Sequence, residues 1–378
     1  MKPPPSPAAA GTALTVSESG VYRLSGSCAY GSVTIKKGTT DVTLILDNLT
    51  LTSTDTAPIT CGKSSQVTIE AAAGTVNALS DSEQNNGDTY PANENAENAV
   101  LKCKDGSQVT LCGTGSLTLT ANGKNGIKSG ASTDEDGEAS LTIRELTLTI
   151  HAPVNDAINA GQLLTIESGE LTISAADDAI HCDYTLQIGA EGTDGPAISI
   201  TDCYEGLEAA TLNVASGDIR IRASDDCLNA ANSDLTGFDF SMNLSGSTIN
   251  AYTTDGDGFD SNGTMTISGG TICVWTANTA DNQPLDADRV DAVVVALVDN
   301  LEPVLGADQR HGQLDSASAP APTDGQLPGS EGHLIARDGN SVEDGPADFA
   351  LGALVQEGEV IVMAVIALHR VQGSFSAF

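Results

Sequence analysis

Three short phrases between Asp177 and Ala231 hold the side chains best suited to chemistry. They are Asp-Asp-Ala-Ile-His-Cys-Asp at 177–183, Glu-Gly-Leu-Glu-Ala at 205–209 and Asp-Asp-Cys-Leu-Asn-Ala at 225–230. The apolar centre of each phrase, with its counterparts elsewhere, gives a marker series: Ile127, Ile158, Ile180, Leu207, Leu228, Phe259 and Leu285. In extended chain, successive side chains point to opposite faces. The marker and the residue two later therefore turn inward: Ile158 with Ala160, Ile180 with Cys182, Leu207 with Ala209, Leu228 with Ala230, Phe259 with Ser261, Leu285 with Ala287. The residue between faces out, which predicts a column Lys128, Asn159, His181, Glu208, Asn229, Asp260, Asp286. Two residues before the marker runs a second column: Asn125, Asp156, Asp178, Glu205, Asp226, Asp257, Gln283. Carboxylates stacked about 5 Å apart repel by roughly 1 kcal/mol in water, and more beside a low-dielectric surface.

A divalent cation relieves such a ladder. Clustered carboxylates with Asn amides and carbonyls are hard ligands, which favours Ca²⁺ over metals that prefer softer ones. The candidate ligands are Asp178, Glu205, Glu208, Asp226, Asp257, Asp260 and Asp286. Neither an EF-hand loop nor the Gly-Gly-x-Gly-x-Asp repeat occurs. Asp and Asn also suit turns on their own account, so turn capping competes for the same residues. His181 reads as a solvated turn residue.

A separate outward column holds Arg222, Tyr252 and the single tryptophan, Trp275, with Arg220 and Asn250 beside it. An aromatic pair next to guanidinium groups suits a pyranose face with a neighbouring carboxylate, which Arg can hold bidentately. Aromatics are 3% of the chain, too few for a broad platform on crystalline cellulose and better matched to one soluble acidic chain. The competing reading leaves Trp275 half buried beneath the C-terminal tail, with no part in binding.

Positioning these columns requires a repeat. Each copy contains three short alternating apolar/polar runs separated by Gly, Asp or Asn, and such runs are strands. Helical spacing is nowhere sustained before residue 288. A copy of about 22 residues cannot bury its own apolar face, so copies must stack. That describes an all-β chain, a single-stranded parallel β-helix with three short strands per turn. Polar or Gly-containing insertions at Ser132–Ala139, Gly189–Gly195 and Asn232–Phe240 lengthen individual turns. The expected organisation is a linker or disordered start at 1–19, the solenoid at 20–288, and an aberrant tail at 289–378.

The net charge of −35, from 51 acidic and 16 basic residues, makes nucleic acid and anionic membranes poor partners. No apolar run is long enough to span a membrane. The start, Met1-Lys2-Pro3-Pro4-Pro5-Ser6-Pro7, is not a signal peptide as written. The eight cysteines form no Cys-x-x-Cys pair and read as small buried thiols. The five histidines show no metal-ligand spacing, and no nucleophile motif or phosphate loop appears. A lyase would need Ca²⁺ to hold a uronate carboxylate and a base to take the adjacent proton. Lys124, Lys128, Arg144, Arg220 and Arg222 are the candidates for that base.

The phrases at 177–183, 205–209, 225–230 and Asp257–Gly263, with Val42–Asp47, Ala57–Ile59 and Gly74–Asp81 upstream, resemble a family of bacterial secreted carbohydrate-binding β-helix proteins first recognised in cellulolytic clostridia. The resemblance covers about residues 20–288. It implies a right-handed, pectate-lyase-like β-helix that binds Ca²⁺ through acidic turn residues. It also implies binding, rather than cleavage, of cellulose and acidic plant polysaccharides, and an extracellular or cell-surface location. After Asp288 the pattern breaks inside a repeat unit. Either a cap follows, with a helix near 290–300, or a shifted reading frame has replaced the remaining turns; the abruptness favours the second. The expectation is therefore a non-catalytic, calcium-binding protein for polygalacturonate-like or cellulosic plant cell-wall polysaccharide. The alternatives are a calcium-dependent pectate lyase and an adhesive surface solenoid.

Overall fold

Runs in which Ile, Leu and Val alternate with Thr, Ser and charged residues bury one side each, so they gain stability only by stacking. The computed structural model describes residues 12–278, 282–293 and 365–368, and there the runs stack in parallel, each strand on its counterpart in the neighbouring copy. No helix occurs among the described residues. Three ladders result, consistent with a β-helix solenoid.

The first ladder aligns Val33, Ile59, Leu101, Ile127, Ile158, Ile180, Leu207, Leu228, Phe259 and Leu285. The second runs from Val42 through Val67, Val109, Leu141, Leu164, Leu186, Leu212 and Met242 to Met265. The third joins Leu79, Leu119, Ile150, Ile173, Ile200, Ile221, Ala251 and Val274. Their inward side chains form one continuous core. Each buried Ile or Leu contributes about 1.5–3 kcal/mol, so the core extends with every coil.

The inward pairs fall where period-two reading puts them. Ile180, Cys182, Leu207, Ala209, Leu228 and Ala230 are fully buried, while Leu285 and Ala287 at the upper end are only partly so. All eight cysteines are free and six are buried. The insertions fold onto the coil. In 132–139, Asp136 takes the ammonium groups of Lys37 at 2.7 Å and Lys63 at 3.0 Å. In 232–240, Asn232 Nδ2 donates to the Asp183 carbonyl at 2.9 Å, and Phe238 stands edge-on to Tyr184, ring centroids 6.3 Å apart.

The coil boundaries differ from the sequence expectation at both ends. Thr12–Val16 is already a strand, paired with Gly31–Ile35, so the coil begins before residue 20. Leu285–Val293 runs past Asp288 as one strand, accommodated by two register shifts against Phe259–Ile267. Residues 290–293 are thus strand rather than the start of a helix, because the preceding coil still offers an open edge. Val365–Leu368 pairs with Thr271–Thr276. The choice between a cap and a shifted frame for the rest of the tail lies outside the described residues.

Candidate functional site

The outward column on the first ladder assembles in register: Lys128 on Asn159, Asn159 on His181, His181 on Glu208, Glu208 on Asn229, Asn229 on Asp260, Asp260 on Asp286. The acids of the second column sit at the corner that leads into this ladder. Their carboxylates accept backbone N–H groups of the next coil: Asp178 N donates to Asp156 Oδ1 at 3.4 Å, Asp257 N to Asp226 Oδ1 at 2.6 Å, and Gln283 N to Asp257 Oδ1. Corner N–H groups outside the ladders need such acceptors. Turn capping therefore uses one oxygen of each of these acids; the other oxygen of Asp156 accepts from Asn159 Nδ2 at 2.6 Å.

Between column and marker the corner admits only a small residue. A Cβ on Gly206 would lie 2.2 Å from the Cys227 carbonyl oxygen, and one on Gly258 would lie 2.1 Å from Val274 Cγ1. These contacts keep successive corners tightly stacked, which holds the acids close together.

Electrostatics divides the column in two. His181 is not a solvated turn residue. Its side chain is 19% exposed, with Nε2 at 3.0 Å from Asp183, Nδ1 at 3.4 Å from Asp178, and Nδ1 also against Glu208. Burial opposes its charge, but the three carboxylates outweigh burial and raise its pKa far above the ordinary value. This imidazolium partly neutralises the lower acids, where a second cation would be redundant. Above it, among the described residues, no basic side chain forms an ion pair with the column acids. Burial, then Glu208 and Asp178, push Glu205 up to about 8. Burial, then Asp225, Asp260 and Asp257, push Asp226 up to about 7, against the hydrogen bond from Asp257 N. Asp260 rises to about 6 through burial, Asp257 and Asp286. Asp178 also reaches about 6, chiefly through burial.

The residues present fit a hard cation in this upper half. Asn229 Nδ2 donates to Glu205 at 3.0 Å, while Asn229 Oδ1 is buried without a hydrogen-bond partner. Asn229 lies between Glu208 and Asp260 in the outward file. Asp257, Asp260 and Asp286 each bring an oxygen within 4.8 Å of the others. An orphaned amide oxygen among crowded carboxylates that repel one another is a hard-oxygen donor set of the kind that suits a divalent cation, which would also relieve the repulsion. The set of seven acids missed Asn229, whose column position was the available signal. It also missed Asp156, which stands with Asp177 and Asp178 in a further cluster.

On the third ladder, Arg222, Tyr252 and Trp275 lie in register on successive coils. The Arg222 guanidinium carbon is 5.3 Å from the centroid of the Tyr252 ring, and the Tyr252 and Trp275 centroids are 6.4 Å apart. Trp275 is half-buried, and its strand pairs with Val365–Leu368. Arg220 stacks on Asn250 but is already ion-paired with Asp218 at 2.8 Å. The two candidate sets therefore occupy different faces of the coil.

A family model described as "Carbohydrate-binding domain-containing protein" matches residues 10–287. The chain belongs to this family. An Acetivibrio thermocellus protein with the same description is 32% identical over 115 residues, a stretch that spans 30% of this chain and 39% of that relative. A solved polysaccharide lyase-like protein from C. thermocellum, a gadolinium derivative, is similar over 75% of this chain and 86% of its own, at 20% identity and a TM-score of 0.38. Of the bases weighed for a lyase in this carbohydrate-binding domain, Lys124 is ion-paired with Asp88 and Arg220 with Asp218. Lys128 shares the outward file with the acids.

Proposed function

We propose that this carbohydrate-binding protein is a non-catalytic, calcium-loaded, right-handed β-helix that holds acidic plant cell-wall polysaccharide, polygalacturonate-like in charge, outside the cell. The handedness follows the strong preference of parallel crossovers. The observation that carries the sugar reading is the Arg222–Tyr252–Trp275 stack, two rings and a guanidinium in line on adjacent coils. The rings offer a face to the C–H side of a pyranose, and the guanidinium offers a fork to its carboxylate. Calcium, held by Glu205, Asp226, Asn229, Asp257, Asp260 and Asp286, would supply charge balance to the upper column, above the Glu208 carboxylate already paired with His181.

Trp275→Ala and Arg222→Ala should each weaken polygalacturonate binding about tenfold and leave the melting temperature almost unchanged. If both variants bind as the parent does, the sugar lies elsewhere. The position of Lys128 in the acidic file keeps a lyase as the second reading. Release of unsaturated, ultraviolet-absorbing product from polygalacturonate with calcium would replace the binding reading with that one.

A further inference from the structure

With 51 acidic side chains against 16 basic ones, lysines in this chain have carboxylates to hand. Lys37 and Lys63 sit on Asp136, Lys104 on Glu97, and Lys124 on Asp88. Lys36 is exposed and makes no ion pair with a described residue, whereas Lys102 and Lys128 make none although partly buried. They are partners in register on the outward side of the first ladder, with Thr60 one coil below Lys102 and Asn159 one coil above Lys128. Strands in register lie about 4.8 Å apart, so two like charges are held side by side, with Glu97 acting on Lys102 and Asp88 on Lys128 from beyond ion-pair contact.

The strain shows on Lys102. Burial first, and then the Lys128 charge, lower its pKa, while Glu97 pulls the other way. The outward file thus changes sign along its length: Lys102, Lys128, Asn159, the carboxylate-bound His181, and then the acids.

We propose that Lys102 and Lys128 form a carboxylate subsite for a uronate-containing polysaccharide lying along the first ladder. This rests on the reading that the protein binds acidic glycan, and it adds a contact on a different face from the Arg222–Trp275 stack. One uronate carboxylate shared by two ammonium groups offsets the repulsion that each coil imposes on the next. Ammonium groups act as point charges without the fixed fork of a guanidinium, which suits a chain whose carboxylate orientation varies. A carboxylate here would continue the file toward the acidic half.

The experiment measures polygalacturonate affinity in EDTA at low salt for the parent, Lys102→Met, Lys128→Met and Lys128→Arg. Methyl-esterified polymer serves as the neutral comparison, and inorganic phosphate as a competitor. Each Met variant should lose about tenfold in affinity, keep the parent's melting temperature or exceed it, and bind the esterified polymer as weakly as the parent. Lys128→Arg should retain binding, which separates charge from packing. Parent-like binding by both Met variants overturns the proposal, as does equal affinity for the esterified polymer. Displacement by phosphate as readily as by trigalacturonate also overturns it, by making the pair a general anion contact. Loss confined to Trp275→Ala, with the lysine variants unaffected, sinks this subsite and keeps the third-ladder site; the reverse result does the opposite. A parent that binds no polygalacturonate, with or without calcium, sinks both.

Discussion

Glu205 holds its proton up to about pH 8 because it is buried among Glu208 and Asp178, while the side-chain hydrogen bond it accepts comes from an amide. In the unfolded chain an ordinary Glu releases that proton at about 4.3. The folded state therefore binds more protons between those limits, and its stability falls as pH rises through them. Asp226, raised to about 7, adds to the same slope. The metal-free protein should thus melt at a lower temperature at about pH 8 than at about pH 5.5. Glu205→Gln should flatten that difference, since the amide keeps a polar partner for Asn229 without a charge. Calorimetry in EDTA at the two pH values checks this, and a parent that melts higher at the alkaline value would refute it. Period-two alternation was enough to place Asn229 and His181 in the outward file, and the repeat register to stack Glu205 on Asp226 two residues before the marker. It could not show that Asn229 Oδ1 is buried without a partner, or that Glu208 of the next coil joins Asp178 and Asp183 around His181, because both depend on side chains from neighbouring coils.

The elements hold the acids in line only if the corners stack without a gap. Gly206 is a tight case on the acidic corner, with the Cys227 carbonyl oxygen 2.2 Å from where a Cβ would sit. Gly206→Ala must push that carbonyl away or open the coil spacing, at about 3 kcal/mol, the upper range for overpacking. Gly192, in the 189–195 insertion, has φ +74° and nothing within 4 Å of where a Cβ would sit. There alanine meets only the left-handed backbone penalty, about 1 kcal/mol. Chemical denaturation of the two variants tests the contrast, and equal losses would show that corner stacking is not what limits the fold. The alternating runs and their order along the chain could be read from sequence, since each is a local pattern. The ends could not. Pairing of Thr12–Val16 and continuation to Val293 are decided by an available neighbouring edge.

For the whole molecule, a formal charge of −35 makes compaction work against self-repulsion. Two remedies can be told apart. Sodium chloride screens exposed charge generally, whereas a cation bound in the upper column acts by mass action on the folded state, contributing about 2.7 kcal/mol at a hundredfold excess over Kd. Chelation should lower the melting temperature, and calcium should restore it at concentrations where an equal ionic strength of sodium chloride does little. The double variant Glu205→Ala, Asp226→Ala should lose most of that calcium response while retaining the sodium chloride response. An unchanged melt after verified metal removal would eliminate the calcium reading.

The repeat phrases alone established an all-β stack with in-register outward columns, because a period-two strand has just two faces and one must be buried. They also separated the acidic file from the Arg222–Tyr252–Trp275 file, since strand and turn lengths assign each run to a ladder. Only the tertiary structure decided the chemistry within a column. Whether a carboxylate caps a turn, pairs with His181 or keeps its proton depends on the coil above and below, at distances no spacing along the chain encodes. The same holds for Lys102 and Lys128, which are separated by an intervening coil of sequence and meet only when the ladder closes.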